Sequence, residues 1–494
     1  TGVQTCALPI CDIRLDSAVD LATRVNDMLR TSSAPYVLDS IISRFDSVDV
    51  ENRQRAHLTA KLASLKSIRD FLTSHFGTVV GLLPCFIGTP DSIARRIDPL
   101  ICHFDIVVLD EASQITPENA LGVIGRGASC VIVGDSKQMP PTRVGKLRRI
   151  DQSEGDDLVA PDSVLSLAVM RGLPTVRLRW HYRSERESLI AFSNMRYYGR
   201  SLLSYPENRP ISDDRGVSLR RVNGQFDHSG SRTNRIEAEA MVSELLHRVN
   251  DLGQSSIAII VMNIEQQGLI QQMLLNLSDS RVSQLLDSDD DTTSITVLNL
   301  ESSQGIERDV VLLGVCYSKE IGTDSVPLRF GGLVGLSGQR RLNVAVSRAR
   351  KEMIVFASFD PEAITSRKDL ASAGVTDLGD FMQFARDGFT EEARFRDSLH
   401  PDLPILEAVC KHLRNRGLVA ESRIGMSDFR VDIAVRRPEV SSWELGVLID
   451  GLAWYERANT LERIVAPRRF LSRAKGWPEI RSEEHTSELQ SRQY

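Results

Sequence analysis

The chain has 494 residues, 41% hydrophobic and 26% charged, with a formal net charge of −6. This composition is that of soluble globular domains, and the length predicts about three of them. The mildly acidic net charge gives no argument for nucleic-acid binding. It does not exclude such binding either, because a local basic stripe would be enough. No run of about 18 apolar residues occurs, so the sequence predicts no membrane partner.

Seven cysteines are scattered along the chain, without a C-x-x-C pair and without a cluster of cysteine and histidine. Structural zinc sites and disulfide frameworks need suitably spaced cysteines, so neither is predicted. Unpaired cysteines are typical of proteins kept in a reducing compartment. The sequence therefore predicts a cytoplasmic location.

Both ends of the chain read like translations of a sequencing-library adapter, one in each orientation. Residues 1–10 are TGVQTCALPI, and residues 481–494 begin with RSEEHTSELQS. Such segments are left out of fold reasoning, although ordinary terminal sequence is the alternative interpretation. We therefore expect the natural sequence to be truncated on both sides.

The first part of the chain, residues 12–75, is polar with helical periodicity. Apolar residues at spacings of three and four predict an amphipathic helix in an insertion packed on a core. These residues are Leu58, Leu62, Leu65 and Ile68. Between residues 78 and 150, short apolar runs alternate with turn signals, which is typical of buried parallel strands.

Two of these apolar runs end in polar residues suited to phosphate chemistry. Asp110 and Glu111 follow FDIVVL, whereas Gly134, Asp135 and Gln138 follow CVIV. Open α/β sheets bind ligands outside the carboxyl ends of their strands. One carboxylate there can hold Mg²⁺, and a second can orient or deprotonate an attacking water. An Asp-Glu pair after an apolar run is also common without a function, and the second strand end favours the functional interpretation.

Residues 165–360 alternate apolar runs with amphipathic stretches such as Glu237–Val249, which predicts a parallel sheet covered on both faces. The expected strands are Thr175–Leu178, Ile257–Val261, Ile295–Leu298, Val310–Val315 and Met353–Phe356. The acidic residues 278–292 predict a surface loop, and residues 361–400 predict a charged, helical connection. From about residue 403, one amphipathic helix is followed by two strand-like runs.

Several segments carry a family resemblance. They are CFIGTPDSIAR (85–95), DEASQ (110–114), GDSKQMPP (134–141), RLRWHYRSERESLIAFSN (177–194), VMNIEQQ (261–267), LNLESSQGIERDVVLL (298–313) and RRLNVAVSRARKEMIVF (340–356). Together they resemble superfamily 1 helicases, in the branch of the RNA-surveillance helicase and the DNA-replication helicase-nuclease. The resemblance implies an α/β fold with two RecA-like P-loop NTPase domains. The first would be incomplete, with its helical insertion, at residues 11–160, and the second would span residues 161–362.

The same resemblance implies ATP and Mg²⁺ as cofactors. Asp110 matches the Mg²⁺ ligand, Glu111 the catalytic base, and Gln138 the sensor of the γ-phosphate. Arg183 and Arg348 match the arginines that stabilise charge on the transferred phosphoryl group, for which a planar guanidinium is well suited. The phosphate loop G-x-x-x-x-G-K-[ST] occurs nowhere in the chain, so we expect this chain alone to be inactive.

Further residues are implied on the nucleotide and nucleic-acid sides. Gln304 and Gly305 match a turn at the cofactor, and Glu307 matches the residue that contacts the ribose. Gln266 matches a position on the nucleic-acid side. Aromatic residues that could stack on bases are also expected in the core or at a domain interface. They are Trp180, His181, Tyr182, Tyr197 and Tyr198.

The last part of the chain, residues 401–480, follows an expected helical linker at residues 363–400. It resembles a very-short-patch-repair endonuclease-like domain, a small α/β member of the restriction-endonuclease fold, in truncated form and without its last strand. The resemblance implies Glu407, Asp432 and Asp450 as metal ligands. Leu448 stands where the pattern has Glu, so a module that binds without cutting is an equal alternative.

The sequence thus predicts an ATP-dependent helicase or translocase with a nuclease-like C-terminal domain. Its partner would be a nucleic acid, with single-stranded or duplex DNA expected and RNA as the alternative. A different class also stays open: a nucleotide-gated nucleic-acid-binding scaffold that neither unwinds nor cleaves.

Overall fold

The structure is a computed structural model, and it describes twelve stretches of the chain. They are residues 68–82, 85–100, 104–141, 161–210, 216–288, 290, 292–319, 325–335, 337–388, 402–449, 466–477 and 480–482. The chain divides into two compact units. The first unit comprises residues 16–176, and the second comprises residues 177–494 together with residues 1–15.

Two parallel strands form the centre of the first unit. Strand β1 (Phe104–Leu109) pairs with β2 (Gly127–Ile132). The helices around them are α1 (Ile68–Leu82), α2 (Pro90–Arg96), α3 (Pro117–Ile124) and α4 (Val164–Met170). Helices α2 and α3 both begin with a Thr-Pro pair, because threonine caps the first turn and proline tolerates the first helical position. The predicted helical insertion lies outside the described residues except for α1.

The core of the first unit is small and lies on one side of the two strands. Its buried members include Val107, Leu109, Ala120, Val123 and Val164. A buried arginine ties helix α2 to the start of β2: Arg126 donates through Nε and Nη2 to the carbonyl of Ile97 at 2.9 and 2.6 Å. The end of helix α2 is thereby fixed to the amino end of β2.

A five-stranded parallel sheet forms the centre of the second unit. Its strands, in spatial order, are β3 (Val217–Arg221), β7 (Ala349–Ala357), β6 (Arg308–Gly314), β4 (Ile257–Val261) and β5 (Ile295–Asn299). Every pair of neighbouring strands in this sheet is parallel. The predicted α/β class and parallel sheet are therefore confirmed.

Helices cover this sheet. They are α5 (Ser188–Arg196), α6 (Arg235–Asn250), α7 (Ile264–Leu275), α8 (Ser280–Leu286), α9 (Gly338–Val346), α10 (Glu362–Thr365) and α11 (Ala373–Asp387). Asn234, Asn263 and Asp279 cap α6, α7 and α8 through their side chains. Helix α11 lies within the expected linker, yet its Phe381 and Met382 belong to the hydrophobic core of the sheet.

Several predictions on secondary structure were wrong. Residues 78–82, at the start of the stretch predicted to hold buried strands, end helix α1 instead. Residues Thr175–Leu178 form no strand. Val176 and Leu178 are 88% and 80% exposed, so the alternation of apolar and polar residues here does not mark a buried face. The acidic stretch 278–292 contains helix α8, which Asp279 caps by accepting from two main-chain amides. Strand β3 was not predicted, because its outer end carries Arg220 and Arg221 at the edge of the sheet.

The C-terminal part, residues 403–482, contains a second sheet. Its elements are α12 (Leu403–Arg414), β8 (Val419–Ile424), β9 (Val431–Arg436), β10 (Leu445–Leu448), α13 (Ala466–Ala474) and β11 (Ile480–Ser482). Strand β9 is antiparallel to β8 and β10, whereas β11 is parallel to β10. The prediction that the last strand is absent was wrong, since β11 takes that edge with residues Arg481 and Ser482 from the adapter-like end. Among the described residues, no helix is long and apolar enough to cross a membrane.

Candidate nucleotide site

The carboxyl ends of β1 and β2 are tied together by main-chain hydrogen bonds. The amide of Val133 donates to the carbonyl of Leu109 at 2.8 Å, and the amide of Ala112 donates to the carbonyl of Val133 at 2.9 Å. Asp110 and Glu111 lie between these two bonded positions. The structure therefore brings the first acidic strand end next to the second.

Gly134 makes this close approach sterically feasible. A Cβ at this position would lie 3.0 Å from the amide nitrogen of Ser113 and 3.1 Å from that of Ala112. Because main-chain atoms cannot turn aside as a flexible side chain can, any larger residue would push the two strand ends apart. The close packing of the two strand ends therefore explains why the GDSKQMPP segment begins with glycine.

Glu111 has a left-handed backbone, with φ at +51°. This conformation is unfavourable for a residue with a Cβ and is often found at functional sites. The carboxylate of Asp110 accepts the Glu111 amide at 2.9 Å, and the Gln114 side chain donates to the Glu111 carboxylate at 3.3 Å. Both carboxylates are thereby oriented by neighbours in the DEASQ segment.

Asp135 orients the predicted phosphate sensor. Its Oδ2 accepts from Nε2 of Gln138 at 3.1 Å, and its Oδ1 accepts from the amide of Lys137 at 2.8 Å. Asp110 is exposed at the strand end, where an oxygen-ligated cation such as Mg²⁺ would have access to it. Carboxylate oxygens suit Mg²⁺, and Asp110 is the residue at this edge that would hold it.

A second group of predicted residues lies at the amino ends of β6 and β7 in the second unit. Arg183 donates through Nε to Oε2 of Glu307 at 2.9 Å, and both side chains are partly exposed. Arg350 lies 3.9 Å from the same carboxylate and 3.4 Å from that of Asp309. Two of the predicted nucleotide-site residues, Arg183 and Glu307, are therefore in direct contact.

The other predicted arginine has a different environment. Arg348 is 2% exposed, and its guanidinium donates to the carbonyls of Val344 at 2.8 Å and Ile306 at 3.3 Å. The Arg348 guanidinium therefore joins the end of α9 to the loop that contains Gln304 and Gly305. Gly305 has φ at +85°, so the turn predicted at these two residues is present.

Gln266, which the resemblance implies on the nucleic-acid side, lies in the core of the second unit. Its side chain is completely buried; Oε1 accepts from the amide of Asn234 at 2.7 Å, and Nε2 donates to the carbonyl of Asn234 at 3.0 Å. A paired main-chain amide and carbonyl are expensive to leave unsatisfied in a core. Gln266 therefore holds the start of α6 in place.

The aromatic candidates are mainly packing residues. Trp180 stacks on Tyr205 with ring centroids 4.4 Å apart, and the hydroxyl of Tyr198 accepts from the side chain of Asn343 at 3.0 Å. Burial raises the pKa of Tyr197 well above its usual range. Burial, followed by the nearby positive charges, lowers the pKa of His181 to about 4. Tyr182 is the most exposed of the set, at 60%.

A buried polar network near the carboxyl ends of β6 and β7 was not predicted. Glu237 is completely buried and accepts from the amide of Cys316 at 2.6 Å and from the hydroxyl of Ser358 at 3.1 Å. Asn234 donates to the Cys316 carbonyl at 2.9 Å. Burial raises the pKa of Glu237 to about 8, although the two donors partly oppose this rise. The feature of the sequence that could have indicated this network is Glu237 itself, a glutamate on the apolar face of α6.

The predicted metal ligands of the C-terminal part are not brought together. Glu407 accepts from the hydroxyl of Ser422, which lies opposite Ile433 in the β8–β9 register. Directly opposed residues share one face and adjacent residues alternate, so Asp432 points to the other face, where it accepts from the amide of Ile449 at 2.7 Å. Asp450 lies outside the described residues. Within those residues, no group of three or more His, Cys, Asp or Glu could hold a metal ion.

Comparisons with known proteins bear on the two units. Family models described as "AAA domain" match residues 88–146 and residues 162–360. A protein of Mycoplasma pneumoniae called an uncharacterized ATP-dependent helicase is 29% identical over 313 residues, which are 60% of this chain and 27% of that protein. These matches support the resemblance to superfamily 1 helicases.

Two more similarities concern helicases. The DNA replication ATP-dependent helicase/nuclease DNA2 of Gallus gallus is 24% identical over 59% of this chain and 26% of its own length. The solved arterivirus nonstructural protein 10 (helicase) with DNA is 13% identical, covers 54% of this chain and 44% of that chain, and has a TM-score of 0.27. This chain spans about a quarter of the length of the Mycoplasma and chicken helicases it matches.

Proposed function

We propose that this chain is part of an ATP-dependent nucleic-acid helicase or translocase, with DNA as the substrate. The observation that carries the proposal is the hydrogen-bonded pairing of the two strand ends, which sets Asp110 and Glu111 beside Asp135 and Gln138. Adjacent parallel strands that both end in acidic residues provide the carboxylates that phosphoryl transfer requires. The names of the related helicases agree with this chemistry.

In the proposed site each residue has a separate task. Asp110 would hold Mg²⁺, which when bound neutralises charge on the phosphate oxygens. Glu111 would take the proton of the attacking water, and Gln138, oriented by Asp135, would hydrogen-bond the γ-phosphate or that water. Arg183 and Arg348 would stabilise the negative charge of the transferred group, with Glu307 and the turn at Gly305 next to them.

Two RecA-like domains are part of this proposal. The parallel sheet of the second unit and the strand pair of the first agree with such domains. The chain contains no G-x-x-x-x-G-K-[ST] segment, and that loop supplies the main-chain amides and the lysine that cradle nucleotide phosphates. We therefore propose that the 494 residues alone do not turn over ATP, and that a protein which also contains the loop does.

For the C-terminal part we propose a restriction-endonuclease-like fold. Its support is the element order helix, three antiparallel strands, helix, and a last strand parallel to the third. Glu407, on α12, contacts one face of the C-terminal sheet and Asp432 points to the other face. This separation, with Leu448 where the pattern has Glu, favours binding over cleavage. Mg²⁺-dependent cleavage by a complete protein, abolished by Asp450→Ala, would instead establish a nuclease.

A strand-displacement assay tests the main proposal. A protein that contains the phosphate loop and these two units should separate a tailed DNA duplex when ATP and Mg²⁺ are present. The expected result is displacement with ATP and none with a non-hydrolysable analogue. DNA-stimulated ATP hydrolysis without displacement or translocation would favour the alternative, a nucleotide-gated scaffold.

A further inference from the structure

A segment from the sheet-containing part of the second unit completes the core of the C-terminal part. Tyr205, between α5 and β3, is 3% exposed and packs in one hydrophobic cluster with Trp443, Leu471 and Trp477. The indole Nε1 of Trp477 donates to the carbonyl of Pro206 at 2.9 Å. The two parts of the unit therefore share a core rather than meeting at a wet surface.

Stacked aromatic rings extend this core to the residues next to Arg183. Trp180 stacks on Tyr205 with ring centroids 4.4 Å apart, and Tyr205 stacks on Phe470 of α13 at 5.1 Å. Tyr182, the immediate neighbour of Arg183, lies over the same Phe470 at 5.3 Å. Ring pairs at these distances are favourable beyond the burial of their area.

A buried carboxylate adds a polar connection. Glu187, just before helix α5, accepts from the hydroxyl of Ser204 at 2.6 Å and from the amide of Met426 at 3.0 Å. The hydroxyl of Ser427 accepts from the amide of Ser204 at 3.0 Å. Because a buried carboxylate without donors is costly, these contacts fix the turn after β8 against the start of α5.

Lys475, at the end of α13, contacts the loop of Arg183 itself. Its Nζ donates to the carbonyl of Ser184 at 3.3 Å and to the carbonyl of Glu185. These are the two residues that directly follow Arg183. The main chain after Arg183 is thus held from the C-terminal part, whereas the Arg183 side chain is held by Glu307 from the sheet.

We propose that the C-terminal part is a brace for the Arg183 loop, and that Lys475 is a positioning residue for Arg183. A ligand that shifts α13, such as nucleic acid bound to the C-terminal part, would then change the position of Arg183. The brace itself is independent of the proposed function. Only its effect on ATP hydrolysis rests on the role proposed for Arg183.

Hydrogen exchange of the 494-residue chain tests the brace. Lys475→Met removes both hydrogen bonds to the loop carbonyls, so the loop should open more often. Exchange of the main-chain amides in residues 181–187, among them the Glu185 amide bonded to Arg350, should then rise about tenfold, the scale of one charge-assisted bond. Lys475→Arg should keep most of the protection. Arg473→Met, an exposed position two residues earlier, should change nothing. Unchanged exchange of this peptide in Lys475→Met would overturn the proposal.

Exchange in α11 reports whether a variant loosens the whole unit. If Lys475→Met also accelerates exchange in α11, Tyr182→Ala takes its place, because this exposed side chain contacts Phe470 without filling the core. It should loosen the peptide of residues 181–187 and leave α11 protected. Protection of that peptide in Tyr182→Ala would likewise overturn the brace.

Kinetics of a protein that also contains the phosphate loop separate the two proposals. Lys475→Met should lower kcat about tenfold with little change in KM for ATP, and Lys475→Arg should restore kcat. If the loop exchanges faster but kcat is unchanged, the brace stands and the role of Arg183 fails. If exchange does not change, the brace fails whatever kcat does.

Discussion

Nε of Arg183 lies 2.9 Å from Oε2 of Glu307, although 124 positions separate the two residues in sequence. Both were predicted to belong to a nucleotide site, on separate motifs and with separate roles. Their contact holds the Arg183 guanidinium at the amino ends of β6 and β7, and we predict that Glu307 acts through Arg183 as well as through its own role.

The first prediction concerns this pair in a protein that contains the phosphate loop. Arg183→Ala should lower kcat by about 10³-fold, as loss of a transition-state arginine does. Glu307→Gln should lower kcat less, and the double variant should be no slower than Arg183→Ala alone, because the second change acts through the first. Steady-state kinetics measure all three, with the exposed Arg179→Ala as control. Additive losses would show that the two residues act independently.

A second prediction concerns the orientation of Gln138. Asp135→Ala removes the acceptor that holds the Gln138 side chain, so kcat should fall about tenfold while KM for ATP stays nearly constant. Asp105→Ala, an exposed acid at the start of β1, is the matched control. A rise in KM with unchanged kcat would contradict an orienting role.

Gln266 offers a test of a structural role against a nucleic-acid role. Gln266→Leu leaves the buried amide of Asn234 without its acceptor, whereas the Asn234 carbonyl keeps the amide of Ala238, so the free energy of unfolding should fall by about 1–3 kcal/mol. Gln271→Leu, on the exposed face of the same helix, should cost little. Urea unfolding of the 494-residue chain measures both. Weaker DNA binding by Gln266→Leu at unchanged stability would restore the original assignment.

The raised pKa of Glu237 predicts that the stability of the folded chain depends on pH. Its pKa is about 8 in the folded chain against an ordinary value of 4.5, so the folded state binds more protons than the unfolded state between these values. The stability contribution is complete below pH 4.5 and is lost as the pH rises through 8. Unfolding free energy at several pH values should therefore fall across this window, and Glu237→Gln should remove much of the fall. If the unfolding free energy falls with pH equally in Glu237→Gln and in the exposed control Glu239→Gln, Glu237 is not the source of the pH dependence.

The sequence predicted best what depends on local pattern. The strand Ile257–Val261 was predicted with its observed bounds because every side chain in it is buried. The turn at Gly305, which the family resemblance implied, is present, and its left-handed backbone accounts for the glycine.

Long-range packing explains what could not be predicted. The partner of Gln266 is the main chain 32 residues away, and the partner of Lys475 lies 291 residues away. No periodicity reports such a pairing. Val176 and Leu178 show the converse, because their apolar side chains are exposed and the segment forms no strand.

Glu111→Gln tests the central claim most directly, in a protein that contains the phosphate loop. The amide is nearly isosteric but cannot accept the proton of the attacking water, so ATP hydrolysis should fall by about 10²–10⁴-fold. ATP affinity should stay within a few-fold, because Asp110 and the phosphate contacts are unchanged. Hydrolysis that persists at the wild-type rate in Glu111→Gln would contradict the assignment of this strand end as the catalytic site.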